Sequence, residues 1–227
     1  MRTLLLTSQG LGNDEIKAAL EKAAGKPLNE CIVGFVPNAG DVEEDRGYIS
    51  RARDKLRNDF SAAIDIDLNV LKGETLRAEL SKVDVIYVEG GNTFHLLDTA
   101  RKSGFTGILP SLLDSGKVYV GVSAGSYIAC PTIDMADWKN ANRADRNTAN
   151  MADLTGMNLV PFMLTAHFAE EYRPLILGAA SHTKYPIVAL YDTQAVLVEG
   201  GNYRVIGPGA REFFNGFKES TRSRMRH

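Results

Sequence analysis

Short apolar runs alternate with longer amphipathic segments through the first half of the chain. The apolar runs are rich in β-branched residues, which favours strands, and they read RTLLLTS, CIVGFVPNA, AAIDIDLNVL, VDVIYVEGG and KVYVGVS. Between them, apolar residues recur with the period of a helix over 14–24, 45–60, 74–82, 92–104 and 108–115. This alternation predicts consecutive βαβ units.

Two of these runs, 83–88 and 118–122, are apolar at nearly every position. A strand with water on one face alternates in polarity, whereas a strand covered by helices on both faces is apolar throughout. We therefore predict an α/β fold, a doubly wound and mostly parallel sheet with helices on both faces. A chain of 227 residues is long enough for one sizeable core, so a single domain over 1–227 is expected.

After Cys130 the sequence changes character. Residues 131–158 are polar, rich in Asn and Asp, and without a sustained period, which is typical of a long loop or flap. Order then returns with the strand patterns LVPFMLTAHF, YPIVALYD, QAVLVEGG and NYRVIGP and with a helix over 172–180. The basic tail FKESTRSRMRH is predicted to be a frayed terminus rather than a binding arm.

The pentapeptide Val-Glu-Gly-Gly-Asn occurs twice, over 88–92 and 198–202. The first copy joins an apolar strand to a helix pattern. The second copy lies between two strand patterns, and its Gly-Gly pair predicts a tight hairpin turn. No wider repeat surrounds the two copies.

Composition limits the kinds of binding partner and the cellular compartment that we expect for this protein. With 26 Lys and Arg against 28 Asp and Glu, the chain offers no bulk attraction to nucleic acid or acidic membranes, so a small molecule or peptide is the expected partner. Cys31 and Cys130 lie in apolar contexts and are expected to be buried thiols rather than a disulfide or metal site. The N-terminal apolar run is too short for a signal peptide or a membrane span, and we expect a cytoplasmic protein without a metal or other cofactor.

The sequence Gly-Val-Ser-Ala-Gly over 121–125 carries the strongest chemical signal. A strand that runs directly into Gly-x-Ser-x-Gly and then into a helix is typical of a nucleophile elbow, in which small flanking residues permit a sharp turn beneath the serine. A purely structural turn is the alternative for Ser123. A phosphate cradle is disfavoured, because no Lys-Ser/Thr follows and the spacing matches neither known glycine-rich loop.

A nucleophilic serine needs a base and an acid, and the chain has the histidines His95, His167, His182 and His227. His167 follows an apolar run, which places it near the carboxyl edge of the sheet, where α/β folds bind ligands. Asp192 ends a strand pattern and is the only aspartate after His167, so it is the favoured acid. Asp134 and Asp137, in the polar loop, are rivals. A structural histidine and a turn-capping aspartate are the ordinary alternatives.

Backbone amides could stabilise the negative charge that develops during acyl transfer. The amide of Ala124 follows the serine and begins the next helix pattern, where free N–H groups are found. Gly90 and Gly91 end the neighbouring strand pattern and bring a second backbone amide to the same edge. The amide of Ala124 and one from the Gly90-Gly91 pair are therefore the candidate oxyanion donors.

VEGGNTFHLL, GVSAGSYIACPTI and AHF, in this order and at these separations, resemble the dipeptidase E (α-aspartyl dipeptidase) family of serine peptidases. That family shares its fold with class I glutamine amidotransferases, and the resemblance covers roughly Leu4 to Ile206. It implies that Ser123 is the nucleophile, that His167 is the general base, and that the oxyanion amides belong to Gly91 and Ala124. It leaves the acid between Asp192, on the late strand, and Asp137, after the elbow.

The resemblance also implies a substrate preference. The family favours an N-terminal aspartyl residue, which is attributed to an arginine on the helix after the catalytic histidine, and Arg173 is the nearest match here. A guanidinium suits a carboxylate, although a solvated helix arginine is the alternative. Val122 and His95 depart from the family pattern, which has an aromatic residue and a glutamine there.

Three functions therefore compete. The first is a cytoplasmic serine dipeptidase that acts on small peptides with N-terminal aspartate. The second is a related peptidase of different specificity, for instance one acting on cyanophycin-like β-aspartyl-arginine material. The third is a non-catalytic binding protein of the same fold. An ordinary α/β-hydrolase esterase is disfavoured, because no HGGG-type element precedes the elbow.

Overall fold

A computed structural model describes residues 1–139 and 145–220. Part of the predicted polar loop, 140–144, and the last seven residues of the basic tail, 221–227, lie outside the described residues. The strands are β1 (Thr3–Thr7), β2 (Ile32–Val36), β3 (Ala62–Asp65), β4 (Val85–Val88), β5 (Val118–Val122), β6 (Met163–Thr165), β7 (Ile187–Ala189), β8 (Ala195–Glu199), β9 (Asn202–Ile206) and β10 (Glu212–Phe214). The helices are α1 (Asp14–Ala24), α2 (Gly47–Asp59), α3 (Gly73–Ser81), α4 (Thr93–Ser103), α5 (Phe105–Asp114), α6 (Ala124–Tyr127) and α7 (Arg173–Ala180).

The main sheet has seven strands in the order β3-β2-β4-β5-β1-β8-β9. The first five strands in this order are parallel, and β8 and β9 continue the sheet antiparallel. β5 lies in the middle, with Thr7 of β1 opposite Val122 on one side and Val88 of β4 opposite Gly121 on the other. The predicted doubly wound and mostly parallel sheet is confirmed.

Helices cover both faces of this sheet. Leu5 packs in the cluster that contains Ile16 of α1 and Leu56 of α2. Leu4 and Leu6, its neighbours on β1, belong to the other cluster, which also holds buried residues of α3, α4 and α5. Because successive side chains of a strand point to opposite faces, a strand between two helix layers must be apolar at every position. This is why β4 and β5 were recognisable as buried strands.

A second, small sheet has the order β10-β7-β6, with β6 parallel to β7 and β10 antiparallel to it. The sequence patterns predicted β6 and β7 as strands but did not indicate that they form a sheet of their own. β1 is already paired on both sides, by β5 and β8, so no place beside it is left for β6. Phe162, Phe168, Phe214 and Phe217 pack beneath the small sheet as part of the same core cluster as β1.

The two Val-Glu-Gly-Gly-Asn copies form two different turns. In the first, the Asn92 side chain accepts the N–H of His95 and caps the start of α4. In the second, Glu199 pairs directly with Asn202, and Gly200 has a φ of 65°. This is the two-residue hairpin that the sequence predicts, and glycine is suited to its left-handed conformation.

Both cysteines are buried free thiols, as the sequence predicts. Burial raises the pKa of the Cys130 thiol to about 12, so this sulfur is protonated at neutral pH and is not a nucleophile. Within residues 1–139 and 145–220, no helix has both the length and the apolar character needed to cross a membrane.

Candidate active site

The candidate site lies at the carboxyl edge of β1, β4 and β5. Parallel strands end at the same edge of a sheet, and this is where α/β folds bind ligands. Here that edge brings together Ser8 after β1, the Glu89-Gly90-Gly91 segment after β4, and Ser123 after β5. Three short segments that are far apart in the chain therefore meet around one serine.

Ser123 occupies a sharp turn between β5 and α6. Its φ of 45° and ψ of −106° lie in a region that residues other than glycine rarely adopt, at a cost of about 1 to 3 kcal/mol. The backbone holds it there: the Ser123 N–H donates to the Thr7 carbonyl at 3.0 Å, and the Ser123 carbonyl accepts the N–H groups of Ser126 and Tyr127 at 2.8 and 2.9 Å. Ser123 is thus part of a turn, and it is half-buried between the buried residues Val122 and Ala124.

The two flanking glycines are required by backbone packing. A Cβ on Gly121 would lie 2.6 Å from the Gly125 carbonyl oxygen, and a Cβ on Gly125 would lie 2.2 Å from the Val88 carbonyl oxygen. Both distances are far below van der Waals contact. The Gly-x-Ser-x-Gly pattern therefore follows from the close approach of α6 to β4 and β5.

Ser123, His167 and Asp192 form a chain of hydrogen bonds. The Ser123 Oγ lies 3.1 Å from the His167 Nε2, and the His167 Nδ1 lies 2.6 Å from the Asp192 Oδ1. His167 follows β6 and Asp192 follows β7, so the small sheet carries both residues to the serine at the edge of the main sheet. A serine, an imidazole and a carboxylate in this order can perform acyl transfer.

Ser8 is a residue of this site that the sequence reasoning missed. Its hydroxyl donates to the Asp192 Oδ1 at 2.9 Å and accepts the backbone N–H of His167 at 2.7 Å. It thereby ties two members of the chain to the end of β1. The available signal was its position immediately after the first predicted strand, at the same edge as Ser123.

The rival acids do not contact His167 in the structure. Asp134 and Asp137 are the first and last residues of a short 3₁₀ turn, and Asp137 is exposed. Burial, followed by the negative charge of Asp134, raises the pKa of Asp137 above its ordinary value. Asp192 is the carboxylate that the structure places against the His167 imidazole.

The other histidines lie elsewhere. The His95 Nε2 is 3.5 Å from the Asp41 Oδ2, and the His182 Nδ1 is 3.0 Å from the Gly178 carbonyl oxygen, at the end of α7. His227 lies outside the described residues.

The candidate oxyanion amides are both free within the described part of the chain. Neither the Gly91 N–H nor the Ala124 N–H donates a hydrogen bond among residues 1–139 and 145–220. Gly91 has a φ of 135°, and a Cβ there would lie 2.5 Å from the Ala39 carbonyl oxygen, so this position requires glycine. The Tyr48 hydroxyl donates to the Gly90 carbonyl at 3.1 Å and helps to fix the loop. Two preorganised donors of this kind can stabilise an oxyanion.

Arg173 is not brought to Ser123 in the same way. Its guanidinium donates to both carboxylate oxygens of Glu170, at 2.6 and 2.8 Å, and to Glu212 at 2.8 Å. It also lies over the rings of Phe168 and Phe214. Its hydrogen bonds to Glu170 and then Glu212 raise the pKa of Arg173 above the ordinary value. These bonds use the Nε and Nη2 of Arg173, and Arg173 lines neither of the two cavities that open at Ser123.

Two cavities open at Ser123. The first, which we call the α2 cavity, has a volume of 480 Å³, and its lining includes Tyr48, Arg51, Lys55, Leu56 and Glu89. The second, which we call the Lys139 cavity, has a volume of 230 Å³, and its lining includes Glu43, Tyr127, Lys139 and Asp145. Tyr48, Gly91, Ser123 and His167 line both cavities. A substrate bound at Ser123 thus has one space on each side of the serine.

Lys139 and Asp145 give the smaller cavity its charge. Lys139 is buried, its ammonium donates to the Ala166 carbonyl, and it lies 5.4 Å from the centre of the Tyr172 ring. The Asp145 carboxylate accepts the backbone N–H of Thr93 at 2.8 Å. Burial raises the pKa of Asp145 above its ordinary value, even though that hydrogen bond opposes the shift.

Known proteins that resemble this chain are peptidases. Residues 4–206 match the model of peptidase family S51. An uncharacterised peptidase of Pasteurella multocida is 31% identical over 179 residues, which are 77% of this chain and 84% of that protein. Peptidase E of Shewanella amazonensis is 26% identical over 230 residues, 95% of this chain and 92% of that protein.

A solved structure shares the fold. A crystal structure of a Listeria monocytogenes protein, provisionally assigned as a peptidase E, has a TM-score of 0.76 at 23% identity and covers 92% of this chain and 100% of that chain. The two proteins therefore share the α/β fold. The chain belongs to peptidase family S51, and the resemblance to the dipeptidase E family is confirmed.

We expect Asp192→Asn to lower kcat by about 10³- to 10⁴-fold, because the amide can neither hold the imidazole in the required tautomer nor stabilise its charged form. The matched control is Asp137→Asn, which we expect to stay within about threefold of wild type, since that side chain is exposed. Steady-state kinetics on a dipeptide substrate compares the two variants. A much larger loss for Asp137→Asn would reverse the assignment of the acid.

Proposed function

We propose that this protein is a serine dipeptidase that hydrolyses small peptides with an N-terminal aspartate through an acyl-enzyme. The observation that carries the proposal is the hydrogen-bonded chain from the Ser123 Oγ through the His167 imidazole to the Asp192 carboxylate. Membership of a peptidase family supports peptide substrates. The cytoplasm, where a free buried thiol persists, is the proposed compartment.

In the acylation step, the Ser123 Oγ attacks the carbonyl carbon of the scissile bond and its proton passes to the His167 Nε2. Asp192 stabilises the resulting imidazolium through the His167 Nδ1. The carbonyl oxygen becomes an oxyanion and accepts the N–H groups of Gly91 and Ala124. When the tetrahedral intermediate collapses, the C–N bond breaks and His167 gives its proton to the leaving amine.

In the deacylation step, water replaces the departed amine. His167 accepts a proton from that water, which attacks the ester carbonyl of the acylated Ser123. The second tetrahedral intermediate uses the same two amides. Its collapse returns the proton from His167 to the Ser123 Oγ and releases the N-terminal amino acid with a free carboxylate.

The volume of the α2 cavity, 480 Å³, lies in the range of small-molecule sites, which supports short substrates. The preference for aspartate rests on the resemblance to the dipeptidase E family. Cations that could receive its side chain are Arg173, by that resemblance, and Arg51, Lys55 and Lys139, which line the cavities. A peptidase of another specificity, or a non-catalytic binding protein, is the alternative that the experiments below separate.

We expect Ser123→Ala to lower kcat by about 10⁶-fold while the protein stays folded, because the substitution removes only the hydroxyl from a turn that the backbone holds. The measurement is dipeptide hydrolysis followed by release of the C-terminal amino acid, with circular dichroism as the check on folding. Ser181→Ala, on the exposed end of α7, is the matched control. Near-wild-type activity in folded Ser123→Ala would exclude the mechanism and favour another function.

If Arg173 recognises the aspartyl side chain, Arg173→Met lowers the kcat/KM ratio of Asp-Leu to Asn-Leu by about 10- to 100-fold. The same substitution also leaves Glu212 without its cation, so the melting temperature is followed in parallel. An unchanged ratio in the variant would mean that a cation other than Arg173 sets the preference. Arg51→Met is the comparison variant for the α2 cavity.

A further inference from the structure

Glu89 is a buried acid next to the nucleophile that the proposed mechanism does not use. It immediately follows β4, it lines the α2 cavity together with Ser123, and it is 5% exposed. Its Oε1 accepts the backbone N–H of Gly90 at 2.8 Å. Among residues 1–139 and 145–220, no lysine, arginine or histidine forms an ion pair with it.

A buried carboxylate without a cation is unfavourable, because the single hydrogen bond replaces only part of its hydration. Burial accordingly raises the pKa of Glu89 to about 7, although the Gly90 N–H opposes the shift. A cation that entered the α2 cavity would favour the ionised carboxylate and supply the missing partner. The charged and titratable groups that line this cavity with Glu89 are Tyr48, Arg51, Lys55, Tyr87 and His167.

The position of Glu89 relative to the oxyanion amide indicates which cation fits. Gly91, a candidate oxyanion donor, is two residues after Glu89, and both line the same cavity as Ser123. In a dipeptide, the α-ammonium is attached to the carbon next to the scissile carbonyl. A group that binds the carbonyl oxygen and a group that binds the ammonium must therefore be close neighbours. The tip of a lysine or arginine side chain of the substrate would reach much farther from the serine.

We propose that Glu89 binds the free α-ammonium group of the substrate, so that the enzyme selects peptides with an unblocked N-terminus. This inference rests on the proposed peptidase function and adds the residue that recognises the amino end. Arg51 and Lys55 also line the α2 cavity, but they are cations and cannot bind the substrate ammonium.

The rival carboxylates lie in the Lys139 cavity. Asp145 already accepts the backbone N–H of Thr93 at the start of α4. Glu43 is less buried than Glu89 and shares its cavity with Lys139, a cation of the protein itself. Glu89 likewise accepts one backbone N–H and shares its cavity with cations of the protein, but Asp145 and Glu43 are both less buried than Glu89 and keep more of their hydration. A substrate cation therefore stabilises Glu89 most, and Glu43→Gln makes the same change of charge in the other cavity.

The test compares Asp-Leu with N-acetyl-Asp-Leu on wild type, Glu89→Gln and Glu43→Gln. For wild type we expect kcat/KM to be at least about tenfold higher for Asp-Leu than for N-acetyl-Asp-Leu, since a hydrogen bond between charged groups contributes about this factor to binding. Glu89→Gln should lower that preference by about 10- to 100-fold, whereas Glu43→Gln should keep it within about threefold of wild type.

Wild type that cleaves N-acetyl-Asp-Leu as fast as Asp-Leu would overturn the inference without any variant, as would a loss of preference in Glu43→Gln alone. If wild type cleaves Asp-Leu and folded Glu89→Gln keeps the full preference, the proposed function stands and the ammonium site is wrong.

If wild type cleaves neither compound, the proposed function is wrong. The binding of Asp-Leu, measured by calorimetry, then tests the ammonium site separately. In a Ser123→Ala background, adding Glu89→Gln should weaken the binding of Asp-Leu by about 10- to 100-fold and reduce its advantage over the acetylated compound. Equal affinities of Asp-Leu for the two proteins would overturn the inference.

Discussion

The pairing of β1 and β4 with β5 is the constraint on which the candidate site depends. Thr7 lies opposite Val122, and Val88 lies opposite Gly121, so the three strands end within one residue of each other along the sheet. The pairing therefore fixes the position of the residue that follows each strand. Ser8, Glu89 and Ser123 follow β1, β4 and β5, and all three line the α2 cavity. A shift of one residue in either pairing would move every side chain of the shifted strand to the opposite face.

The small sheet positions the other two members of the hydrogen-bonded chain. Its strands β6 and β7 are only three residues long, and the segments that follow them carry His167 and Asp192 to Ser123. His167 has a φ of 54°, so it shares with Ser123 a backbone conformation that is unfavourable for residues other than glycine. Backbone strain of this kind persists only where surrounding contacts hold it, and Ser8 supplies one, by accepting the His167 N–H. Two strained residues in hydrogen-bond contact are typical of a functional site.

Local sequence determined the parts of the fold that could be predicted. The bounds of α1 match the expected 14–24 because Asn13 caps its start and Gly25 ends it in the left-handed conformation. Ser123 and Gly91 were recognisable because both positions need glycine or a glycine-flanked turn. The strands β6 and β7 were recognisable from their apolar patterns, but nothing local to them indicates that they form a separate sheet with β10. The partners of Ser8, which are Asp192 and His167, and the Glu212 partner of Arg173 lie far away in the chain, and no local pattern encodes them.

The central claim, that Ser123 is an activated nucleophile, is tested most directly by covalent labelling of the native protein. An alkyl fluorophosphonate reacts with a serine that is hydrogen-bonded to a competent base, and mass spectrometry of the digested protein locates the adduct. The account predicts stoichiometric modification of the peptide that contains Ser123, with loss of dipeptide hydrolysis in the same proportion. A native protein that cleaves dipeptides yet carries no adduct on Ser123, or carries it on another residue, would contradict the account.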